Sequence, residues 1–174
     1  MLAVTLANPF DMTICRNLHR KLMKEGDNAI DFELKASDGS TTSLSSFKNK
    51  KNIVLCFYPK NHLFACPSKK VYKMAKSVIS AYSDIIVTDS VLFAISVDTV
   101  EAQKKFVKEY NIPYLHLSDP TKQACKTYAG LNIAGLAKRS TFIIDKQGVV
   151  RKIFRDIDVE NHGKEIAETL KLRN

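Results

Sequence analysis

Short apolar runs and amphipathic segments alternate along the middle of the chain. Residues 52–58 and 91–97 are almost continuous stretches of apolar, β-branched and aromatic side chains, which is typical of strands buried on both faces. Between them, apolar residues from Val71 to Tyr82 recur at steps of three and four, and lysines occupy other positions on the wheel. This spacing predicts an amphipathic helix that packs one face against the strands.

The flanking segments complete a sheet with helices around it. A helix is predicted from Asp98–Thr99 to Tyr110, and Pro113 bars its continuation. The pattern further predicts an N-terminal hairpin over 32–43, a loop around 83–89, a short strand over 114–117, a short helix over 121–128, a hairpin with strands 140–144 and 149–154, and a last helix over 162–172. This order predicts an α/β fold in which helices flank a central mixed sheet.

Length and composition agree with one globular domain. The 174 residues suffice for a single core, and 45% apolar with 26% charged residues excludes a collagen-like or wholly disordered chain. The net charge of +9 permits loose attraction to nucleic acid or acidic partners. No aromatic and basic motif accompanies that charge, so no specific nucleic-acid binding is predicted. No apolar run approaches the roughly 18 residues that a membrane helix needs, so no membrane association is predicted.

The N-terminal residues 1–24 are predicted to be a tail, and residues 25–174 the folded domain. In the tail the apolar part precedes the positive charges, and Pro9 and Asp11 interrupt it. This is the wrong order for a secretory signal. An organellar import signal stays open as an alternative to a cytoplasmic location, because basic residues follow Asp11.

The four cysteines are spaced in a way that predicts neither a disulfide framework nor a zinc site, because no C-x-x-C occurs. No metal or cofactor is expected, and a reducing compartment is the simpler interpretation. Cys56 lies inside an apolar strand and Cys125 inside a short helix, so both are expected to serve packing. Cys15 lies in the tail.

Cys66 has a different setting, between a buried strand and an amphipathic helix. Pro67 suits the first helical position, where a missing N–H is harmless. Cys66 would then lie directly before the N-terminus of the helix. Backbone N–H groups and the helix dipole stabilise an anion there, and such sites lower a thiol pKa from about 8.5 to roughly 3.5–7.5. We therefore expect a nucleophilic thiolate at Cys66.

Two basic residues are candidates to support this thiolate. His62 precedes it by four residues and could act as a base or cation, although a lone loop histidine is more often solvated. Arg139 directly precedes a predicted strand and could bring a guanidinium to the carboxyl end of a neighbouring strand. A surface salt bridge is its alternative role, and spacing alone leaves both open.

Four short motifs occur in a fixed order along the chain. Residues 28–34 are similar to A-P-D-F-x-L, residues 57–60 read F-Y-P-K, residues 94–98 resemble G-V-S-x-D, and residues 139–145 match R-S-T-F-x-I-D. From about Gly26 onward the chain therefore resembles the peroxiredoxins, specifically their bacterioferritin-comigratory or Q-type branch.

The resemblance implies a thioredoxin-like fold and a thiol-dependent peroxidase. It implies that Cys66 is the peroxidatic cysteine, that Pro59 shields the substrate pocket and that Arg139 supports the thiolate and the peroxide oxygens. In the family reaction the thiolate attacks hydrogen peroxide or an alkyl hydroperoxide and becomes a sulfenic acid, which a thiol then reduces.

The chain departs from the family pattern in its active-site loop. The family sequence P-x-x-x-T-P-G-C would place a hydroxyl where this chain has Leu63. Loss of one such preorganised contact commonly lowers rates by about 10²- to 10³-fold. Val71 stands where the Q-type resolving cysteine would lie, so we expect a one-cysteine enzyme, monomeric or weakly dimeric, that uses thioredoxin, glutaredoxin or glutathione. Resolution by another cysteine of the chain after local unfolding is the alternative.

Two other functions are compatible with these residues. The apolar loop residues Leu63, Phe64 and Ala65 favour a weakened peroxiredoxin-fold protein that binds a partner or senses redox state. Cys66-Pro67-Ser68 also resembles the C-P-x-S site of a monothiol glutaredoxin-like reductase. The order of the four motifs favours the peroxidase over both.

Overall fold

A seven-stranded mixed sheet forms the centre of the protein. The computed structural model describes residues 22–61 and 70–173. The strand order is β2-β1-β5-β4-β3-β6-β7; β3, β4 and β5 are parallel, and the other neighbours are antiparallel. The strands are β1 (Glu33–Ala36), β2 (Thr41–Ser43), β3 (Asn52–Phe57), β4 (Ser90–Ser96), β5 (Leu115–Ser118), β6 (Ser140–Ile144) and β7 (Val150–Phe154).

Helices cover both faces of this sheet. The five helices of the described residues are α1 (Lys70–Ser80), α2 (Tyr82–Ile86), α3 (Val100–Tyr110), α4 (Gln123–Tyr128) and α5 (His162–Lys171). Buried residues of α1, α2, α3 and α5 share one apolar cluster, and those of α4 belong to the cluster on the opposite face. The predicted α/β architecture with a central mixed sheet flanked by helices is confirmed, and so is its N-terminal hairpin.

Strand β3 runs through the middle of both clusters. Ile53, Leu55 and Phe57 point into one cluster, and Val54 and Cys56 into the other. All five are at most 3% exposed. Because both faces are buried, the strand lacks the alternation of a half-exposed strand and shows the apolar run of its sequence. Each fully buried aliphatic or aromatic side chain contributes roughly 1.5–3 kcal/mol to the free energy of unfolding.

Helix α3 begins and ends close to the predicted residues. The Thr99 side chain accepts a hydrogen bond from the backbone N–H of Ala102 at 3.3 Å, which caps the first turn. Asn111 closes the helix in the left-handed conformation, with φ 49°, as residues after a helix commonly do. Gln103 lies on the apolar face and is fully buried.

The loop predicted around residues 83–89 is wrong in its first half. Helix α2 occupies Tyr82–Ile86, because Ile85 is fully buried in the cluster that α1 and α5 share. The turn comes later, where Asp89 adopts a positive φ of 55°.

The N-terminal part of the described chain is attached to the sheet. Met23 belongs to the core cluster with 6% exposure, and its carbonyl accepts a hydrogen bond from Nη2 of Arg155 at 3.2 Å. The folded domain therefore includes residues just before position 25. Residues 1–21, on which the prediction of a tail mostly rests, lie outside the described residues. Among the residues described, no helix is both long and apolar enough to cross a bilayer.

Candidate active site

The ends of strands β3 and β6 place two of the four predicted site residues at one edge of the sheet. Phe57 of β3 pairs with Ser140 of β6 in antiparallel register. Arg139 directly precedes the first residue of β6, and Pro59 comes two residues after the last residue of β3. This is the carboxyl end of the parallel strands, where open α/β sheets bind their ligands.

The Arg139 guanidinium lies between the sheet and helix α1. Its Nη1 donates a hydrogen bond to Sδ of Met74 at 3.4 Å, and the residue is half-buried. Its charge also reaches His162, whose pKa is lowered mainly by burial and further by this guanidinium. Both roles that the sequence left open for Arg139, support of the thiolate and a surface salt bridge, stay predictions.

Pro59 is half-buried immediately after Tyr58. The other two predicted site residues, Cys66 and Leu63, lie outside the described residues, and so do His62 and Cys15. Their roles therefore stay predictions. The structure describes the chain on both sides of the segment 62–69, with Asn61 before it and α1 from Lys70 after it.

The two described cysteines are buried thiols, in agreement with a packing role. Cys56 is 3% exposed and Cys125 is fully buried. Burial raises the pKa of Cys56 to about 12. Burial and the neighbouring carboxylate of Asp119 raise the pKa of Cys125 still further. Neither sulfur is a thiolate near neutral pH.

A set of buried polar side chains surrounds Asn61, the last described residue before the segment 62–69. We call it the polar cluster; its members are Tyr58, Asn61, Ser96, Asp98, Gln103 and His116, all of them buried. The hydroxyl of Tyr58 is 2.6 Å from Oδ1 of Asn61, 2.7 Å from Oε1 of Gln103 and 2.9 Å from Nδ1 of His116. Three segments that are distant in sequence, 58–61, the segment around Gln103 and the segment around His116, thus meet at one hydroxyl.

The neighbours of the two amides determine how the cluster is bonded. Nε2 of Gln103 donates to Oγ of Ser96 at 2.8 Å. Its Oε1 therefore faces His116 and accepts from Nδ1 of that ring at 3.0 Å. Nδ2 of Asn61 donates to the carbonyl of Ala102 at 3.2 Å, so its Oδ1 accepts from the hydroxyl of Tyr58.

His116 is neutral, with its proton on Nδ1. Burial lowers the pKa of this ring to about 3. Its Nε2 finds no hydrogen-bond partner among the residues described. The ring also lines a cavity of about 20 Å³ between α1 and the sheet, together with Cys56 and Met74. This volume is about that of one water molecule, so the cavity is too small for a peroxide substrate of any bulk.

The polar cluster also holds the backbone where the described chain stops. The N–H of Asn61 donates to Oδ2 of Asp98 at 2.9 Å, and the same oxygen accepts from Oγ of Ser96 at 2.7 Å. These residues were not predicted from the sequence as part of the site. One available signal was Gln103, a polar residue between Val100 and Phe106 on the apolar face of α3.

No group of three or more His, Cys, Asp or Glu residues within 22–61 and 70–173 is arranged to hold an ion.

Comparison with known proteins gives consistent matches. The sequence model of the AhpC/TSA family matches residues 26–153. Peroxiredoxin Bcp of Bacillus subtilis is 33% identical over 154 residues, which cover 84% of this chain and 94% of that protein. The chloroplastic peroxiredoxin Q of Triticum aestivum is 33% identical over 153 residues, which cover 86% of this chain and 66% of the relative.

A solved structure supports the same assignment. The crystal structure of peroxidoxin BcpB from Mycobacterium tuberculosis superposes with a TM-score of 0.76 at 27% identity. The match covers 87% of this chain and 99% of that one. The similarity therefore extends over most of the chain.

Proposed function

The chain belongs to the AhpC/TSA family, in the branch of the bacterioferritin-comigratory and Q-type peroxiredoxins, and we propose that Cys66 is its peroxidatic cysteine and Arg139 the guanidinium that supports it. Peroxiredoxins are thiol-dependent peroxidases, and this is the activity of the chain. The observation that carries the proposed roles is the position of Arg139. Arg139 directly precedes Ser140, which pairs with the last residue of β3, and its guanidinium contacts Met74 of α1. In the sequence, β3 and α1 are the elements before and after the segment that contains Cys66.

The reaction starts with attack of the Cys66 thiolate on one oxygen of a peroxide. An S–O bond forms and the O–O bond breaks, so the sulfur loses two electrons and becomes a sulfenic acid. The second oxygen leaves as water or an alcohol after it takes up a proton. The guanidinium of Arg139 stabilises the thiolate before attack and the charge that develops on the leaving oxygen.

Two further residues shape the pocket in this proposal. Pro59 shields the thiolate from bulk water. Leu63 replaces the hydroxyl residue of the family loop, and the missing hydrogen bond lowers the rate of peroxide attack by about 10²- to 10³-fold relative to a threonine-containing site.

An external thiol completes the cycle as a two-electron reductant. Cys56 and Cys125 are buried and their pKa values are raised by burial, which opposes attack on a sulfenic acid from either. We therefore propose a one-cysteine enzyme that uses thioredoxin, glutaredoxin or glutathione and acts as a monomer or weak dimer. A cytoplasmic location is proposed with it, and the chloroplastic wheat relative keeps organellar import as the alternative.

Mass spectrometry of the intact protein after one equivalent of hydrogen peroxide tests the nucleophile. Wild-type protein should gain one oxygen atom, or an adduct of a sulfenic-acid trap, located at Cys66. The Cys66→Ser variant should gain neither, and the Cys56→Ser variant should behave as wild type. Oxidation located elsewhere, or no oxidation together with no peroxide consumption in the presence of each thiol reductant, rejects the proposed role of Cys66.

A weakened binding or redox-sensing role is the second candidate, because Leu63 removes a polar contact from the pocket. Peroxide clearance that is equally poor for wild type and Cys66→Ser, with a stable protein complex captured by both, would favour it over turnover.

A further inference from the structure

Asn61, directly before the segment 62–69, is held by hydrogen bonds through both its side chain and its backbone. Its side chain contacts Tyr58 after β3 through Oδ1, and the carbonyl of Ala102 and Oε1 of Gln103 on α3 through Nδ2. Its backbone N–H donates to the carboxylate of Asp98 after β4. Three separate elements therefore fix both the backbone and the side chain of one residue, which is only 6% exposed.

The carboxylate of Asp98 is a buried acceptor for the N–H of Asn61. It is 5% exposed, and its Oδ2 accepts from Oγ of Ser96 as well as from the N–H of Asn61. A buried carboxylate costs free energy unless hydrogen bonds replace its hydration. An apolar pair would fill the same volume without this requirement, but it would not hold the backbone of residue 61 in one orientation.

We infer that Asn61 and Asp98 are positioning residues for the nucleophile. They fix the direction in which the chain leaves β3, five residues before Cys66. A displacement of about 1 Å between reacting groups can lower a rate by roughly 10²-fold. The inference rests on the proposed role of Cys66. The two residues act by orienting the chain that leads to Cys66, and they do not contact the peroxide.

Four variants separate positioning from general stability. Asp98→Ala removes the acceptor, and Asp98→Asn keeps a carbonyl oxygen at the place of Oδ2. Asn61→Ala removes the side-chain contacts, and Ser90→Ala is the matched control. Ser90 is buried on the same strand β4, but at the opposite end, where its hydroxyl bonds to Thr88.

The measurements are the second-order rate of peroxide consumption and the pH profile of Cys66 alkylation by iodoacetamide without peroxide. Asp98→Ala and Asn61→Ala should react with peroxide about 10- to 100-fold more slowly than wild type, and the midpoint of their alkylation profile should move to higher pH. Asp98→Asn should recover most of the rate, and Ser90→Ala should stay within about threefold of wild type. All are compared below their unfolding temperatures.

The Tyr58→Phe variant gives a second test if an alanine variant does not fold. It removes only the Tyr58 hydroxyl, which contacts Asn61, Gln103 and His116, and it should slow peroxide consumption several-fold. Wild-type rates and an unshifted alkylation profile in the folded variants overturn the inference while leaving the role of Cys66 intact. An inert Cys66 in wild-type protein rejects the proposed function instead, and the positioning role with it.

Discussion

Nη1 of Arg139 donates a hydrogen bond to Sδ of Met74 over 3.4 Å, and this contact ties the start of β6 to helix α1. The helix follows the segment with the predicted nucleophile, and β6 pairs with the strand that precedes it. The contact therefore links α1, which follows the segment, to the strand that pairs with β3 before it. A thioether is a weak acceptor, so the contact orients the arginine without neutralising its charge.

Arg139→Lys is expected to lower the rate of peroxide consumption by about 10- to 100-fold, because a lysine keeps the charge but lacks the planar fork of donors. Stopped-flow measurement of Cys66 oxidation checks this. The free energy of unfolding should change by less than about 1.5 kcal/mol, since the residue is only half-buried. An oxidation rate equal to that of wild type would contradict the role proposed for the guanidinium.

Met74→Leu is expected to preserve stability and slow the reaction slightly. The swap conserves volume at a site that is 4% exposed, so the free energy of unfolding should fall by less than about 1.5 kcal/mol. The sulfur acceptor for Arg139 is lost, and we expect a peroxide rate several-fold below that of wild type. Met74→Ala, which leaves a cavity, should destabilise by about 2–5 kcal/mol. A leucine variant as destabilised as the alanine variant would show that packing alone explains the contact.

Leu63→Thr is expected to raise the rate of peroxide consumption, by up to about 10²- to 10³-fold, because it supplies the hydroxyl that the family loop carries. The measurement is the peroxidase assay with excess thiol reductant. Leu63→Val is the matched control, since valine has the shape of threonine without its hydroxyl. Equal rates for the threonine and valine variants would mean that the hydroxyl is not what limits this enzyme.

Cys56 and Cys125 are expected to resist thiol reagents in the folded protein. Both are buried, and burial raises both pKa values, so little thiolate is present or accessible at pH 8. Titration with a chromogenic disulfide should leave these two thiols unmodified until a denaturant is added. Peptide mapping that finds either of them labelled in native protein would contradict the described packing.

Acidification from pH 6.5 to pH 5 is expected to destabilise the protein through His116. Burial lowers the pKa of its ring to about 3 from an ordinary value of 6.5. Between these two values the unfolded chain binds the proton and the folded chain does not. The free energy of unfolding therefore increases with pH in this window. As the pH falls from 6.5 to 5, it decreases by about 1.5 kcal/mol.

Urea denaturation of wild type and His116→Asn at both pH values measures this contribution. Asparagine keeps an N–H donor near the place of Nδ1 and does not titrate, so the variant should lose that part of the pH dependence. His162, whose pKa burial lowers as well, contributes to both proteins alike. A variant with the same pH dependence as wild type would show that His116 is protonated in the folded state.

Local pattern alone predicted most of the elements of this fold. The apolar run of β3 and the helical spacing of α1 and α3 are properties of neighbouring residues, because burial repeats with the period of each element. The four motifs also lie within short segments, so the family and the candidates Cys66 and Arg139 could be identified from the sequence. Helix α2 was missed because its only strong signal, the burial of Ile85, depends on contacts with other elements.

Tertiary structure alone decided which polar groups meet at the hydroxyl of Tyr58. Tyr58 and His116 are 58 residues apart, and their side chains come within 2.9 Å. The sequence of β5 shows His116 between two leucines, but no local rule states that Gln103 and Asn61 face the same point. Such contacts depend on the order and register of the strands, which arise from the folding of the whole chain, whereas periodicity reports only which face of an element is buried.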